Sequence, residues 1–347
     1  MHLKSWLAAA ACASLLAVPN AHAADKKVRI QMGGAFPSTT GILGPAQNRI
    51  VKSLRDMSSG SIDIKFFEPG ALVPAGQYFD AISNGSLDAA WTVTGFFTGK
   101  DIAFAMFASV PFGPGVGEYI AWMRYGGGQK LMEDLHAKYN IVPRLCGVIS
   151  PEASGWFRKE IKTLDDLKGL KMRFFGLGAN VMQKLGVSTQ LLQAGEIFQA
   201  LQLGTIDATE FSMPTMDLTL GFHQVAKFYY FPGWHQQATF NVLYFSKKKW
   251  AELSPAQKTM VDVACTAQMM EQFAEGEAKQ FAAMAELQKK GVTIKQWSPE
   301  FLKAFEDKWN EVAKEQAEKS PEFKKAWDSY SKFREGYAVW KANGYLK

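Results

Sequence analysis

Few side chains in this sequence could do chemistry in a confined space, and Arg173 leads them. It lies in "LKMRFFGLGANVMQKLG", Leu170 to Gly186, where an apolar run gives way to Gly-x-Gly and a new helix. An arginine there is either exposed on an edge strand or aimed into a cleft. Burying it is costly unless it meets an anion, and its planar fork can hold a carboxylate by two parallel hydrogen bonds. Glu210 follows a strand end in the same half of the chain. If both face one cleft, Glu210 either pairs with Arg173 or balances a cation that arrives with the ligand. His235, in "FPGWHQQATF", sits among aromatic and amide groups and reads as an orienting or packing residue before a catalytic one.

Enzyme signatures are mostly absent. There is no G-x-S-x-G, H-E-x-x-H, C-x-x-C or P-loop. "FFGLGANV" supplies Gly176 and Gly178 but has Val181 where a dinucleotide fingerprint needs its third glycine. His136, His223 and His235 show no ligand spacing. Binding therefore fits the residues better than catalysis.

The elements that must position these residues read as α/β. Val28 to Ala35 alternates like a strand, and a helix follows from about Pro45 to Met57. "SIDIKFF", helical "GQYFDAISNG" and "LDAAWTV" complete a β-α-β-α-β order with a largely parallel sheet. After Cys146 the grammar restarts with "GWFRKEI" and "KMRFF" as strands, a helix over Asn180 to Leu185, and "VSTQLL". An internal echo ties the halves together: "AGQYFDAISNGSLDAAW" (Ala75 to Trp91) matches "AGEIFQALQLGTIDATE" (Ala194 to Glu210) at a constant offset of 119. Each copy is a short helix, a glycine stop and a strand opening on Asp-Ala. Two similar lobes bind ligands where strand ends face the shared crevice. Trp91, Thr92, Glu210 and Phe211, just past each Asp-Ala, are thus cleft candidates.

Beyond Asn241, "TFNVLYFS" is a strand that returns the chain to the first lobe. From Ser254 and Pro255 to Gly291 the pattern predicts one helix, about 54 Å long at 1.5 Å per residue. Trp327, Tyr330, Phe333, Tyr337 and Trp340 then recur at helical spacing. That stripe either packs on its own protein or joins two copies.

The ends and the composition bound the setting. "MHLKSWLAAAACASLLAVPNAHA" carries one lysine, an apolar stretch and a small-x-small cleavage site, the pattern of a secretory signal peptide. Cleavage after Ala23 removes one lysine and no acid, taking the formal net charge from +6 to +5. The lysines are scattered, so a solvated basic surface is the reading and no nucleic-acid partner is expected. Cys146 and Cys265 survive processing. They are either one disulfide of an oxidising compartment or two buried free thiols.

Taken together, "LKGLKMRFFGLGANVMQKLG", "AGEIFQALQLGTIDATEF", "AFAMFASVPFG", "YYFPGWHQQATFNVLYFSKKKWAELS" and the long helix resemble the solute-binding subunits of tripartite ATP-independent periplasmic (TRAP) transporters. "FPSTTGILGP", "SGWFRKEI" and "PGWH" resemble the branch that binds 2-oxo acids and related monocarboxylates. The resemblance implies an α/β, two-lobed periplasmic binding protein fold with a long spine helix and a helical C-terminal extension. It implies a signal peptide over 1–23, lobe I over 24–149 with a return strand near 238–252, lobe II over 150–237, the spine helix over 253–292 and a helical region over 293–347. Arg173 would grip the substrate carboxylate, and Glu210 and the carbonyl of Phe211 would hold a bridging Na⁺ or Ca²⁺. Phe96, Phe97, Ser154, His235 and Gln236 would complete the site. Four positions depart from the branch: Phe211 replaces a common tryptophan, Gln236 a common glutamate, and Phe96 and Phe97 frequent tyrosines. An amide oxygen at Gln236 can still coordinate a cation, and the drier pocket favours an apolar tail on the acid.

The expected function is therefore periplasmic capture of a small 2-oxo or 2-hydroxy monocarboxylate for a TRAP membrane permease, without catalysis or an organic cofactor, by a homodimer joined through its C-terminal helices. Alternatives are a zwitterionic amino acid as the solute, a sensor rather than a transporter as the recipient, and a periplasmic enzyme working through Glu210 and His235.

Overall fold

Alternating burial along the first strand and a fully buried strand late in the chain mark two interior members of one sheet. The structure, a computed structural model, describes residues 25–346; the signal peptide expected over 1–23 lies outside them. In chain order the first elements are β1 (Val28–Gly34), α1 (Leu43–Met57), β2 (Ile62–Phe67), α2 (Tyr78–Ser83), β3 (Ala89–Thr92), α3 (Val116–Tyr125), α4 (Gly128–Ala137) and β4 (Ile141–Ile149). Then follow β5 (Gly155–Phe157), β6 (Lys171–Arg173), α5 (Gly176–Lys184), β7 (Ser188–Gln190), α6 (Ala194–Leu203), β8 (Ala208–Thr209), α7 (Pro214–Leu220) and β9 (Phe228–Phe231). The chain ends with β10 (Thr239–Ser246), α8 (Lys247–Glu252), α9 (Pro255–Lys289), β11 (Thr293–Gln296), α10 (Pro299–Lys319) and α11 (Pro321–Gly344).

The first sheet runs β2-β1-β3-β10-β4 and the second β11-β9-β5-β8-β6-β7. In the first, β1, β2 and β3 are parallel, and β10 lies antiparallel between β3 and β4. In the second, β6, β7 and β8 are parallel, and β5 lies antiparallel between β8 and β9. Five strands of each sheet thus share one order and one set of directions. The sequence echo is the local form of this likeness. Gly85 and Gly204 both take left-handed φ, 79° and 75°, where a Cβ would be strained. Asp88 then accepts from the Gln31 N–H in β1 at 2.9 Å, and Asp207 from the Lys171 N–H in β6 at 3.0 Å. Each aspartate fastens its strand to the parallel neighbour.

The three long helices begin alike. Ser254, Ser298 and Ser320 each precede a proline, and each hydroxyl accepts an N–H from the first turn. At α9 the Gln257 side chain returns the bond to the Ser254 N–H at 3.0 Å, closing a capping box. Over its 35 residues α9 packs on β4 of the first sheet, on α1, and on α7, the helix that follows β8 of the second sheet. Cys146 in β4 and Cys265 in α9 form a disulfide, which decides between the two readings of these cysteines. The segment after 292, expected as helix, opens instead with β11, an edge strand paired parallel to β9. The aromatic stripe divides along α11. Tyr330 is buried against Trp122 at 5.4 Å, whereas Trp340 is 59% exposed. No helix among the described residues is long and apolar enough to cross a membrane.

Candidate functional site

Arg173 is the last residue of β6, in a register that sets it beside Thr209 of β8. The next residue, Glu210, donates its N–H to the Arg173 carbonyl at 3.0 Å. Both side chains are almost wholly buried, at 1% and 0% exposure. Arg173 Nη1 donates to Glu210 Oε2 at 2.9 Å and to the Glu210 carbonyl at 2.5 Å, and Nε donates to the Leu192 carbonyl at 3.3 Å. Glu210 Oε2 also accepts the Phe175 N–H at 3.0 Å. The guanidinium lies 5.3 Å from the Phe211 ring centroid. No hydrogen bond reaches Nη2 among the described residues, which leaves one edge of the fork for a ligand.

That fork borders a small cavity of about 20 Å³. Phe36, Leu43, Val93, Phe96, Ile149, Phe175 and Phe211 form its apolar wall; Arg173, Glu152, Ser212, Gln236 and Thr239 form its polar side. Aromatic edges close it between the two sheets. Phe175, after β6, meets Phe96, after β3, with centroids 5.2 Å apart and planes at 84°. Gly95 permits this approach, since a Cβ there would stand 2.4 Å from the Phe175 ring. Farther along the same seam, the Gly41 N–H donates to Thr219 Oγ1 at 3.2 Å.

Of the residues expected at the site, Arg173, Phe211, Phe96 and Gln236 line the cavity. Glu210 and His235 stand directly behind, with Glu210 Oε1 and His235 Nε2 at 3.5 Å. The structure places the other four elsewhere. Trp91 and Thr92 are fully buried in β3 and absent from the cavity wall. Phe97 turns into the first sheet's core against Phe79 and Tyr244. Ser154 donates its hydroxyl to the Pro232 carbonyl at 2.8 Å.

Glu152 is the residue that sequence reasoning passed over. It lies in "SPEASGW", where Pro and Gly suggest a solvated turn, yet it is 3% exposed. Backbone lacing buries it: its N–H donates to the Gln236 carbonyl at 3.1 Å, and its carbonyl accepts from the Gly233 N–H at 2.9 Å. The available signal was the glycine of "PGWH", because a Cβ on Gly233 would stand 2.2 Å from the Glu152 carbonyl. Glu152 Oε1 accepts from Ser212 Oγ at 2.9 Å. Burial, and then the facing Glu210 carboxylate, push Glu152 well above the usual carboxylate range. Asp217, one layer deeper, accepts from Trp156 Nε1 and Tyr229 Oη, and burial pushes it up to about 7.

Glu152, Glu210 and His235 can each offer one ligand atom, all within 4.8 Å of one another. Glu152 Oε2, Glu210 Oε1 and Gln236 Oε1 are buried acceptors with no donor. Unpaired buried acceptors are costly, and several oxygens facing one space suit a hard cation. The donor set therefore fits an alkali or alkaline-earth ion.

Comparison with known proteins agrees with this geometry. The family model described as DctP, bacterial extracellular solute-binding protein, family 7, matches residues 33–320. A monocarboxylate 2-oxoacid-binding periplasmic protein of Nostoc sp. is 33% identical over 314 residues, which is 90% of this chain and 86% of that one. A TRAP transporter solute-binding protein from Bordetella bronchiseptica, whose structure has calcium and picolinate in its active site, is 34% identical with a TM-score of 0.89, over 91% and 94% of the two chains. Another from Pseudoalteromonas atlantica, with bound sodium and pyruvate, is 30% identical with a TM-score of 0.87, over 91% and 96%. The chain belongs to family 7 of the bacterial extracellular solute-binding proteins, the solute-binding subunits of TRAP transporters.

Proposed function

We propose that the protein captures a small 2-oxo or 2-hydroxy monocarboxylate together with a cation, and delivers it from the periplasm to a TRAP permease. One observation carries this reading. A buried guanidinium faces a mostly apolar cavity whose polar side also holds acceptor oxygens without donors. Arg173 is already balanced by Glu210, so an incoming carboxylate adds uncompensated negative charge in a dry space unless a cation accompanies it. Nη2 of Arg173 would take one carboxylate oxygen. The Glu210 carboxylate, the Phe211 carbonyl and the Gln236 amide oxygen would hold the ion, which when bound neutralises the acid's charge. The Nostoc and Pseudoalteromonas relatives, named for 2-oxoacids and for pyruvate with sodium, support the same solute class. Seven apolar wall residues favour an aliphatic tail over a second polar group.

Nothing in this arrangement calls for turnover. Glu210 is engaged by Arg173 and the Phe175 N–H, and His235 packs on Phe174 and Trp234. The lobes and spine helix keep the limits given above, with residues 1–23 as an export signal. The exposed end of α11 would join two copies.

Arg173→Lys keeps the charge and removes the planar fork. Affinity for pyruvate or a branched 2-oxo acid is expected to fall at least tenfold by calorimetry, with the melting temperature within a few degrees. An unchanged dissociation constant would remove Arg173 from the site. A second reading, a zwitterionic solute, draws on the two buried carboxylates, which could face an ammonium. Binding of the matching amino acids in place of the oxo acids would establish it.

A further inference from the structure

Among the described residues four non-glycines have positive φ, and Ile42 is the one that is β-branched. Its φ and ψ are 55° and −55°, and the Leu43 N–H donates to the Gly41 carbonyl at 2.5 Å. That is a γ-turn of the rare, strained kind, on a side-chain type that tolerates it worst. We infer that this turn is a strained latch between the two lobes. It forms when the cleft shuts and relaxes when the cleft opens, so Ile42 sets how tightly the solute is held without touching it. This rests on the cavity beside Arg173 being the solute site and adds a determinant of affinity outside it.

Both lobes bear on the turn. On the first lobe's side its flanks are fixed. The Thr40 carbonyl accepts from the Gly44 N–H at 2.8 Å, the Phe36 carbonyl from Gln47 Nε2 at 2.9 Å, and the Ile42 carbonyl from the Ala46 N–H at 3.0 Å as α1 begins. Gly44 seats against the Ser38 carbonyl, where a Cβ would come within 2.2 Å. On the second lobe's side α7 holds the middle. The Gly41 N–H donates to Thr219 Oγ1 at 3.2 Å, and a Cβ on Gly41 would stand 3.2 Å from the Thr215 carbonyl. The Thr219 hydroxyl is itself oriented by donating to the Met216 carbonyl at 2.7 Å. A strained backbone persists only where its surroundings over-determine it. Here part of that constraint comes from α7, and parting the lobes removes it.

The next residue carries the effect to the solute. Ile42 is buried, and Leu43, whose N–H closes the turn, lines the cavity. Latching therefore completes the apolar wall as it strains the backbone. Strain confined to the shut form lowers the share of molecules ready to hold solute, and the apparent dissociation constant rises in proportion. The same bias favours reopening, which delivery to a permease requires.

The test compares Ile42→Gly with Ile42→Ala in the full-length mature protein. Both lose the buried side chain, but only glycine adopts this φ freely. By calorimetry with pyruvate in calcium-containing buffer, Ile42→Gly is expected to bind at least fivefold more tightly than Ile42→Ala. In solute-free urea denaturation, where the turn is relaxed, the order should reverse, with the glycine variant unfolding at the lower urea concentration. Thr219→Val, at an exposed position, removes the acceptor and tests the latch even if an Ile42 variant fails to fold. It should weaken pyruvate binding at least threefold and leave the solute-free midpoint unchanged. Equal pyruvate affinity in the glycine and alanine variants, or a glycine variant more resistant to urea without solute, would overturn the latch, because the strain would then be absent or permanent. Unchanged affinity in Thr219→Val would overturn it as well. If wild type binds no pyruvate, the proposed solute fails, and the solute-free order of the two Ile42 variants alone decides whether the turn relaxes.

Discussion

Arg173 could be read from the sequence because its neighbours were apolar. A charge at the end of a buried run has few places to go, and the structure pairs it at 2.9 Å with Glu210, one of the two options the sequence left open. Glu152 could not be read so, because its burial comes from residues 60 to 84 positions away that close over it by backbone bonds. Trp91 and Thr92 were misplaced for a related reason. The echo equates Trp91 with Glu210, but equivalence of backbone position does not make both side chains face the cavity.

His136 shows what a buried titratable group costs at this same scale. Its Nδ1 lies 2.7 Å from the Met132 carbonyl and its Nε2 2.6 Å from Tyr244 Oη, which satisfies the neutral ring twice. Burial lowers it to about 4. The unfolded chain, with an ordinary histidine near 6.5, therefore takes up a proton first as pH falls. The stability that His136 contributes is whole above about pH 6.5 and shrinks toward pH 4. Asp217, raised to about 7, has the opposite slope, so the comparison must be with a variant. Urea denaturation should show the advantage of wild type over His136→Gln smaller at pH 4.5 than at pH 7, by roughly 2–3 kcal/mol. Parallel pH curves would show that the ring does not titrate in this way.

At the scale of elements, helices were the most legible. Ser-Pro starts and glycine stops act locally, and α9 begins at Pro255 as its pattern predicts. The short strands of the second sheet were visible as β but not in extent: β5 keeps only three residues of "GWFRKEI". β11 was missed because four residues on an edge, half exposed, carry little periodic signal. The cysteine pair was undecidable from sequence because pairing depends on how β4 meets α9, a contact across 119 residues. A link closing so long a loop should restrict the unfolded chain strongly. Cys146→Ala with Cys265→Ala is expected to lower unfolding free energy by roughly 2–5 kcal/mol, seen as an earlier urea midpoint. No change in midpoint would mean the pair adds little beyond packing.

For the whole molecule, likeness of the two sheets follows from the repeated helix-glycine-aspartate unit, and the cavity between them is where such an arrangement binds ligands. What the sequence could not show was how the C-terminal aromatics divide. Tyr330 locks α11 onto α3 and the first sheet's side, while Val339 and Trp340 face outward at 69% and 59% exposure. If those residues join two copies, Trp340→Asp should convert a dimer to a monomer by light scattering with ligand affinity retained. A wild-type monomer at micromolar concentration would exclude the contact.

The placement of β10 has a consequence for how the protein comes into being. This strand lies between β3 and β4, yet it follows every strand of the second sheet except β11, which is itself an edge strand of that sheet. A chain crossing a membrane N-terminus first thus delivers residues 28–149 with the middle of their sheet missing. The gap persists until residue 246 has emerged, and the other sheet's edge waits for residue 296. Until β10 is in place β3 has an open edge and β4 has no strand partner, so both carry unpaired backbone groups during passage.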